Sequence, residues 1–436
     1  MKLKKLVVLM LAALVLLSFS GCKSGGNQKD GLLLPPKLEG DMAPVQQALE
    51  DYVTGDITLK YPTSGEYRSA FILKDLDGDT RREAVALYST TADNTVSMHI
   101  NVIASNGEGW ESKGDLSLVG SGVESVTFSD MDGDKGLEII VGWTVYGSVE
   151  KQVGIYDYDG GLKLRAVEPY TNFLCTDVSG DGVDDLSIVH LNLSSKTATA
   201  RVFSLANAGI TEVGKAELDG GVSSYSAPIL SSLTDGTPAL YIDGVKGTGM
   251  LTEIVWFEKG KLRSLYNPEA PETSLTFRAT AVSSRDYDGD GIIDIPLSEL
   301  LKSTENFSDT DKVYFTNWSE FDGNSFNVTA STFMNYSDGY SLTVPDKWKE
   351  SLLLIRKTEA RMRFFYSYDA ESGLAGDELF RIVAVTEADM KDGVYSDTAF
   401  IELERSGNLI YLAKITPENP LGITEEDVRK MFSIIK

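Results

Sequence analysis

The sequence predicts a mainly β chain, and three observations predict it. From about Gly55 onward the chain runs as short apolar or alternating segments separated by Gly, Asp, Asn and Ser, the pattern of an all-β domain. An acidic pentapeptide recurs: Asp75-Leu76-Asp77-Gly78-Asp79 returns as Asp130-Met131-Asp132-Gly133-Asp134, Asp177-Val178-Ser179-Gly180-Asp181 and Asp286-Tyr287-Asp288-Gly289-Asp290. A worn copy, Ser231-Ser232-Leu233-Thr234-Asp235-Gly236, fills the gap. The copies start at residues 75, 130, 177, 231 and 286, so the steps are 55, 47, 54 and 55 residues. That period fits one four-stranded blade, and five copies predict a five-bladed β-propeller.

The elements follow in order. Lys2, Lys4 and Lys5 precede an apolar run of 12 residues, Leu6 to Leu17, and small residues Ser20 and Gly21 precede Cys22. Twelve apolar residues are too few to span a bilayer, so residues 1–21 read as a signal peptide. Phe19-Ser20-Gly21-Cys22 resembles a bacterial lipobox, with Phe19 where that pattern has Leu; an ordinary cleavage site is the alternative. The resemblance implies that Cys22 is lipidated and anchors the protein to the extracellular face of the cell membrane. Residues 22–40, rich in Gly, Lys and Pro, read as a tether. Asp41 is expected to cap a short helix through Ala43, Val45, Ala48, Leu49 and Tyr52.

Residues 41–336 form the expected propeller. A β-rich run enters each loop, for example Ala70-Phe71-Ile72-Leu73, and another leaves it, for example Ala84 to Tyr88. Three strands follow the last loop, and the expected fourth is Ser69 to Leu73, brought round from the N-terminus to close the ring. Residues 337–436 read as a small α+β domain. Its strands lie at Tyr340 to Val344, Leu352 to Ile355, Arg363 to Tyr368, Leu379 to Thr386 and Ile410 to Ile415. Thr424 and Asp427 open a final helix. The segment beginning Tyr340-Ser341-Leu342-Thr343-Val344-Pro345, with the terminal helix, is loosely similar to the PsbP/Mog1-like sandwich.

The loops carry the chemistry. Each presents side-chain oxygens at positions 1, 3, 5 and 9 and a backbone carbonyl at position 7. These are Asp75, Asp77, Asp79 and Glu83 with the Arg81 carbonyl, then Asp130, Asp132, Asp134 and Glu138 with Gly136. The third set is Asp177, Ser179, Asp181 and Asp185 with Val183, and the last is Asp286, Asp288, Asp290 and Asp294 with Ile292. All-oxygen sets on a Gly-containing turn suit a hard cation, Ca²⁺, and argue against zinc or copper. An EF-hand is excluded, because position 12 is Ala86, Val141, Ile188 or Leu297 and strands flank each loop. The pattern resembles the FG-GAP/VCBS repeats of integrin-α-like propellers over roughly residues 65 to 335. That resemblance implies calcium loops that stiffen each blade, with ligands bound on the opposite face. It implies about four calcium sites, the worn copy having Leu233 and Ala239 at ligand positions.

Catalytic signatures are absent. His99 and His190 lie in β-patterned runs with no metal spacing, and no GxSxG, P-loop or dinucleotide fingerprint occurs. Trp110, Trp143, Tyr146 and Trp256 are candidates for a sugar-stacking surface, against core packing as the alternative. The net charge of −25, more negative once the leader lysines are gone, excludes nucleic acid as a partner. Cys22 and Cys175 are the only cysteines, so a lipidated Cys22 leaves no disulfide. The expected function is a non-catalytic surface binding or scaffold module for an extracellular protein or glycan. An envelope-assembly or sensing lipoprotein is the alternative, and a polysaccharide-active enzyme comes third.

Overall fold

The first three acidic loops are hairpin turns, and the strand that leaves each is buried on both faces, whereas Ile295–Leu300, after the last, is buried only at its start. In Glu83–Ala92, Val85 and Leu87 enter a cluster with the second sheet, whereas Ala84, Ala86 and Tyr88 face the other way. Burial on both sides is why these strands read as apolar runs without polar alternation. The structure, a computed structural model, describes residues 42–435 except 93–94, 146, 148–150, 207–208, 272, 310, 358–360, 392–394 and 396–398. The leader, Cys22, the tether, Asp41 and Tyr146 lie outside the described residues.

Among the described residues the chain is mainly β, built as six antiparallel sheets. The first pairs Phe71–Lys74, Glu83–Ala92, Thr95–Ser105 and Trp110–Val119, with Thr58–Leu59 beside Glu83–Ala92. The second holds Gly122–Ser129, Glu138–Thr144, Lys151–Tyr158 and Leu162–Tyr170. The third holds Asn172–Thr176, Asp185–Asn192, Thr197–Ala206 and Gly209–Leu218. The fourth is Ser224–Tyr225 and Ile229–Ser232 against Pro238–Lys246, then Gly249–Glu258 and Lys261–Ser264. The fifth runs Ile295–Leu300, Tyr314–Phe321, Phe326–Asn335, Tyr340–Thr343 and Phe432–Ile434. The sixth joins Leu352–Lys357, Met362–Asp369, Leu374–Thr386, Leu409–Ile415 and Ile401–Ser406.

Hydrophobic clusters stack these sheets in series. Val85 and Met98 meet Ile139 and Trp143 between the first and second, and Ile140 and Ile155 meet Leu186 and Phe203 between the second and third. Val189 and Val202 meet Leu240 and Val255, and Tyr241 and Ile254 meet Ile295 and Phe321. The last junction packs Phe315 and Phe333 of the fifth sheet on Phe365 and Phe380 of the sixth. The outer face of the first sheet is covered by the helix Ala43–Tyr52, through Val45, Ala48 and Leu49. Both end faces of the five-sheet row are therefore capped, and among the described residues no cluster joins the first sheet to the fifth.

This packing corrects the expected closure. Ser69 to Leu73 does not cross to the last sheet: Phe71 pairs with Ala86 and Leu73 with Ala84, beside its own sequence neighbours. The place reserved for it is taken by Tyr340–Thr343, where Phe333 pairs with Leu342, and then by Phe432–Ile434. The fifth sheet thus runs across residue 337, where the sequence suggested a boundary. The run expected to enter the last loop is likewise reduced to a single bridge between Arg285 and Asp294. The helix forms as expected, but its cap position is Met42, whose side chain makes no cap bond. The terminal helix Glu425–Met431 does carry the reciprocal Thr424–Asp427 capping box.

Candidate metal loops

All five repeats occupy the same place, the turn between the first and second strands of their sheet, the first strand of the fifth being only the Arg285–Asp294 bridge. The four acidic copies also share one set of hydrogen bonds. The position-1 carboxylate caps the turn: Thr80 N–H donates to Asp75 at 3.0 Å, Lys135 to Asp130 at 3.1 Å, Gly182 to Asp177 at 2.9 Å and Gly291 to Asp286 at 3.0 Å. The position-5 carboxylate accepts from the amide two residues on, at 2.7 Å from Arg81 and Gly136, 3.0 Å from Val183 and 2.8 Å from Ile292. Asx turns of this kind are why Asp is required at these positions.

Backbone conformation explains the glycines. Positions 4 and 6 have positive φ in every acidic copy: Gly78 and Thr80 at 73° and 74°, Gly133 and Lys135 at 77° and 78°. Gly180, Gly182, Gly289 and Gly291 repeat this at 77°, 90°, 87° and 94°. Thr80 and Lys135 adopt a region that side chains disfavour.

The position-9 acid does more than sequence reasoning assigned to it. Glu83 accepts from the Leu76 N–H at 2.9 Å and Glu138 from Met131 at 2.8 Å. Asp185 accepts from Val178 and Ser179 at 3.2 and 2.9 Å, and Asp294 from Tyr287 at 2.9 Å. Each of these carboxylates is nearly or fully buried at the root of its loop. Burial pushes all four upward in pKa, and Glu138 reaches about 7, with Asp132, Asp157 and Asp134 adding repulsion. The signal for this was present: each acid directly precedes the apolar strand that forms the core.

Three loops bring three carboxylates together. Oxygens of Asp75, Asp77 and Glu83 lie within 4.8 Å of one another, as do those of Asp130, Asp132 and Glu138, and those of Asp286, Asp288 and Asp290. Two unit charges at that separation repel by about 1 kcal/mol in water and about 3 kcal/mol at the effective dielectric of a protein surface. The arrangement departs from the sequence-derived sets in four places, one being that Asp134 stays outside the second cluster. Asp79 is held away by Arg81, whose Nε donates to it at 2.8 Å. Asp294 uses both oxygens on the protein, accepting from Tyr287 and, at 2.5 Å, from Thr329. The third loop, with Ser179 in place of an acid, does not gather three carboxylates.

One oxygen is left over. Asp75 Oδ1 is buried and has no hydrogen-bond partner in the protein, although Oδ2 of the same carboxylate accepts from Thr80. A buried carboxylate oxygen without a donor is costly unless something absent from the protein atoms satisfies it. A hard cation bound with Asp77 and Glu83 fits that role. The worn copy has the opposite character: Leu233 and Ala239 are buried in the core, and Asp235 accepts from the Thr237 N–H at 2.9 Å.

The remaining candidates are placed as follows. Trp143 is fully buried and donates to Tyr156 OH at 3.0 Å, Trp110 packs near the first helix, and Trp256 packs edge-on to Phe321. They lie in three separate clusters, so the sugar-stacking surface is not assembled among the described residues. His99 bridges Thr90 Oγ1 and Asp115 at 2.9 and 2.8 Å, with Tyr88 stacked on its ring. Cys175 is partly buried, and desolvation pushes its thiol far up.

Two clefts lie at the other end of the sheets. One, of about 290 Å³, is lined by Lys151, Tyr170, His190 and Asn192. The strand Asp185–Asn192 leaves the third loop at Asp185 and reaches this cleft at Asn192, a span of about 23 Å. The other, of about 270 Å³, is lined by Ser298, Tyr314, Thr316, Asn335, Tyr336 and Arg363 where the fifth and sixth sheets meet.

No family model matches the chain, and no curated protein matches it. Among solved structures it is similar to an exotype rhamnogalacturonan lyase at 12% identity, over 82% of this chain and 87% of that one, with a TM-score of 0.31. A rhamnogalacturonan lyase from Bacillus licheniformis gives 12% identity, 73% and 76% coverage and a TM-score of 0.31. The periplasmic gluconolactonase of Pseudomonas aeruginosa gives 12%, 73%, 87% and 0.25. Similarity at this level carries no argument about activity, and the chemistry rests on the loops themselves: a mainly β stack of sheets with acidic turns suited to a metal ion.

Proposed function

We propose that the protein is a non-catalytic, calcium-binding surface lipoprotein that acts as an extracellular binding or scaffold module. Its five loop-bearing sheets are propeller-type blades set in a capped row. Ca²⁺ binds in four loops, and Cys22 holds the chain at the membrane through lipid. The observation that carries this reading is the buried, partnerless Asp75 Oδ1, in a loop whose hydrogen-bond pattern recurs three more times.

The ion would be held by Asp75, Asp77 and Glu83 in the first loop, Asp130, Asp132 and Glu138 in the second, Asp177, Ser179 and Asp181 in the third and Asp286, Asp288 and Asp290 in the last, with the position-7 carbonyl in each. It would offset the repulsion of the clustered carboxylates and fix the turn that joins the two strands. Extracellular calcium modules bind at about 10⁻⁴ to 10⁻³ M, which suffices for a structural role outside the cell. The two clefts at the far end of the sheets are the places for a partner, since the loops are occupied by the metal. The test is calorimetric titration of the detergent-extracted full chain with Ca²⁺, read beside thermal melting. About four ions and a melting temperature that climbs with calcium are expected; no heat and no shift would overturn the reading.

A further inference from the structure

Neighbouring loops are wired to one another through the backbone. The Leu137 N–H of the second loop donates to the Leu76 carbonyl of the first at 2.7 Å, and the Leu76 N–H donates to Glu83 at 2.9 Å. Leu76 therefore links a carboxylate of the first loop to the peptide whose carbonyl belongs to Gly136, the position-7 ligand of the second. The next junction makes a related contact one residue earlier in the receiving loop. Asp184 N–H reaches the Asp130 carbonyl at 3.4 Å, and the other end of that same peptide, Met131 N–H, donates to Glu138 at 2.8 Å. The peptide that donates carries the Val183 carbonyl, position 7 of the third loop. Ser129 reinforces the contact by donating to Asp184 at 2.6 Å.

The row is then broken. The fourth loop has Leu233 and Ala239 at ligand positions, and it meets the fifth through a side chain, Ser231 Oγ donating to the Gly291 carbonyl at 3.0 Å.

We propose that the first three loops bind calcium as one cooperative row, and that the loop of the fifth sheet binds independently. The inference rests on the calcium reading above. A cation on the Gly136 carbonyl polarises the Gly136–Leu137 peptide and strengthens its N–H as a donor, since hydrogen bonds in a chain reinforce one another. The strengthened bond holds Leu76, and Leu76 holds Glu83 in the arrangement the first ion needs. Linkage makes the effect reciprocal. Direct repulsion between bound ions has the opposite sign, so positive cooperativity distinguishes the wired path from simple charge effects.

The test is a calcium titration of the full chain and of two double variants, with melting curves to confirm folding. One variant, Asp132→Asn with Asp134→Asn, empties the second loop; the other, Asp286→Asn with Asp288→Asn, empties the last. The parent chain is expected to show a cooperative component of three ions and an independent component of one. Emptying the second loop should lower the affinity of the first and third at least fivefold, at moderate and at high salt alike, and abolish the cooperativity. Emptying the last should remove one ion and leave the cooperative component unchanged. Four independent sites in the parent, or an effect of the second loop that vanishes in high salt, would overturn the coupling while leaving the calcium reading intact. A parent that binds no calcium would overturn both.

Discussion

Arg81 grips Asp79 from two residues away, its Nε donating to Oδ2, whereas the equivalent Asp290 of the last loop gathers with Asp286 and Asp288. The guanidinium beside it holds the Asp79 carboxyl below the usual range. On the calcium reading, Arg81 would compete with the ion for Asp79 in the first loop. Arg81→Gln is expected to raise the calcium affinity of that loop a few-fold, the modest size reflecting an exposed pair. Calorimetric titration of the variant checks it; an unchanged isotherm would mean that Asp79 never joins the ion.

The left-handed positions give a graded stability series. Thr80 and Lys135 hold φ values of 74° and 78° at a site filled by glycine in the third and last acidic loops. Relief of that strain is partly offset by the extra chain entropy of glycine, so Thr80→Gly is expected to stabilise by up to about 1 kcal/mol. Lys135→Gly should gain less, because Thr is β-branched. Gly78→Ala should destabilise. Urea unfolding of the three variants without calcium reads the order.

Glu253 supplies a pH dependence that involves no metal loop. It is buried, accepts from the Asp219 N–H at 3.0 Å, and burial pushes it up to about 7. A carboxyl raised in the folded state above its unfolded value contributes stability that is fully present below the unfolded pKa, near 4.5. That contribution is lost as pH rises through about 7. Glu253→Gln, which keeps the shape without the charge, should therefore raise the melting temperature at pH 8 relative to the parent and change it little at pH 4. Equal shifts at both pH values would show that its titration does not matter.

On the lipid-anchor proposal, Cys22 carries the localisation. Cys22→Ser is expected to release the protein from the membrane fraction into the medium, and mass spectrometry of the parent should find acyl chains on the N-terminal cysteine. Membrane retention of the serine variant would point to another anchor.

What the sequence made legible was local. The loops declared themselves because an Asx turn needs Asp at fixed offsets and a left-handed residue needs glycine, both properties of a few consecutive residues. The partner of Phe71–Lys74 was not legible, since the apolar run Phe71-Ile72-Leu73 suits any open edge and the choice between Ala86 and a strand far along the chain is made by packing. Phe432–Ile434 escaped notice because a three-residue strand following directly on a helix has no period of its own. The burial of Trp143 was available to be read, since it falls two residues after Val141 and four after Ile139, on their face of the strand. The second role of Glu83 and its equivalents was harder, because a ligand and a clamp call for the same carboxylate.

The helix Ala43–Tyr52 at one end and the sixth sheet at the other have a consequence for how such a chain changes over time. A closed ring fixes the number of its members, because each must meet the next at an angle that sums to a full turn. A row with separate end pieces has no such condition. Gaining or losing one sheet between Gly122 and Ser264 would leave both terminal seals in place, so the number of sheets is not fixed by the ends. The fourth copy, with Leu233 and Ala239 buried at the equivalent positions, packs into the same stack of sheets without an acidic loop.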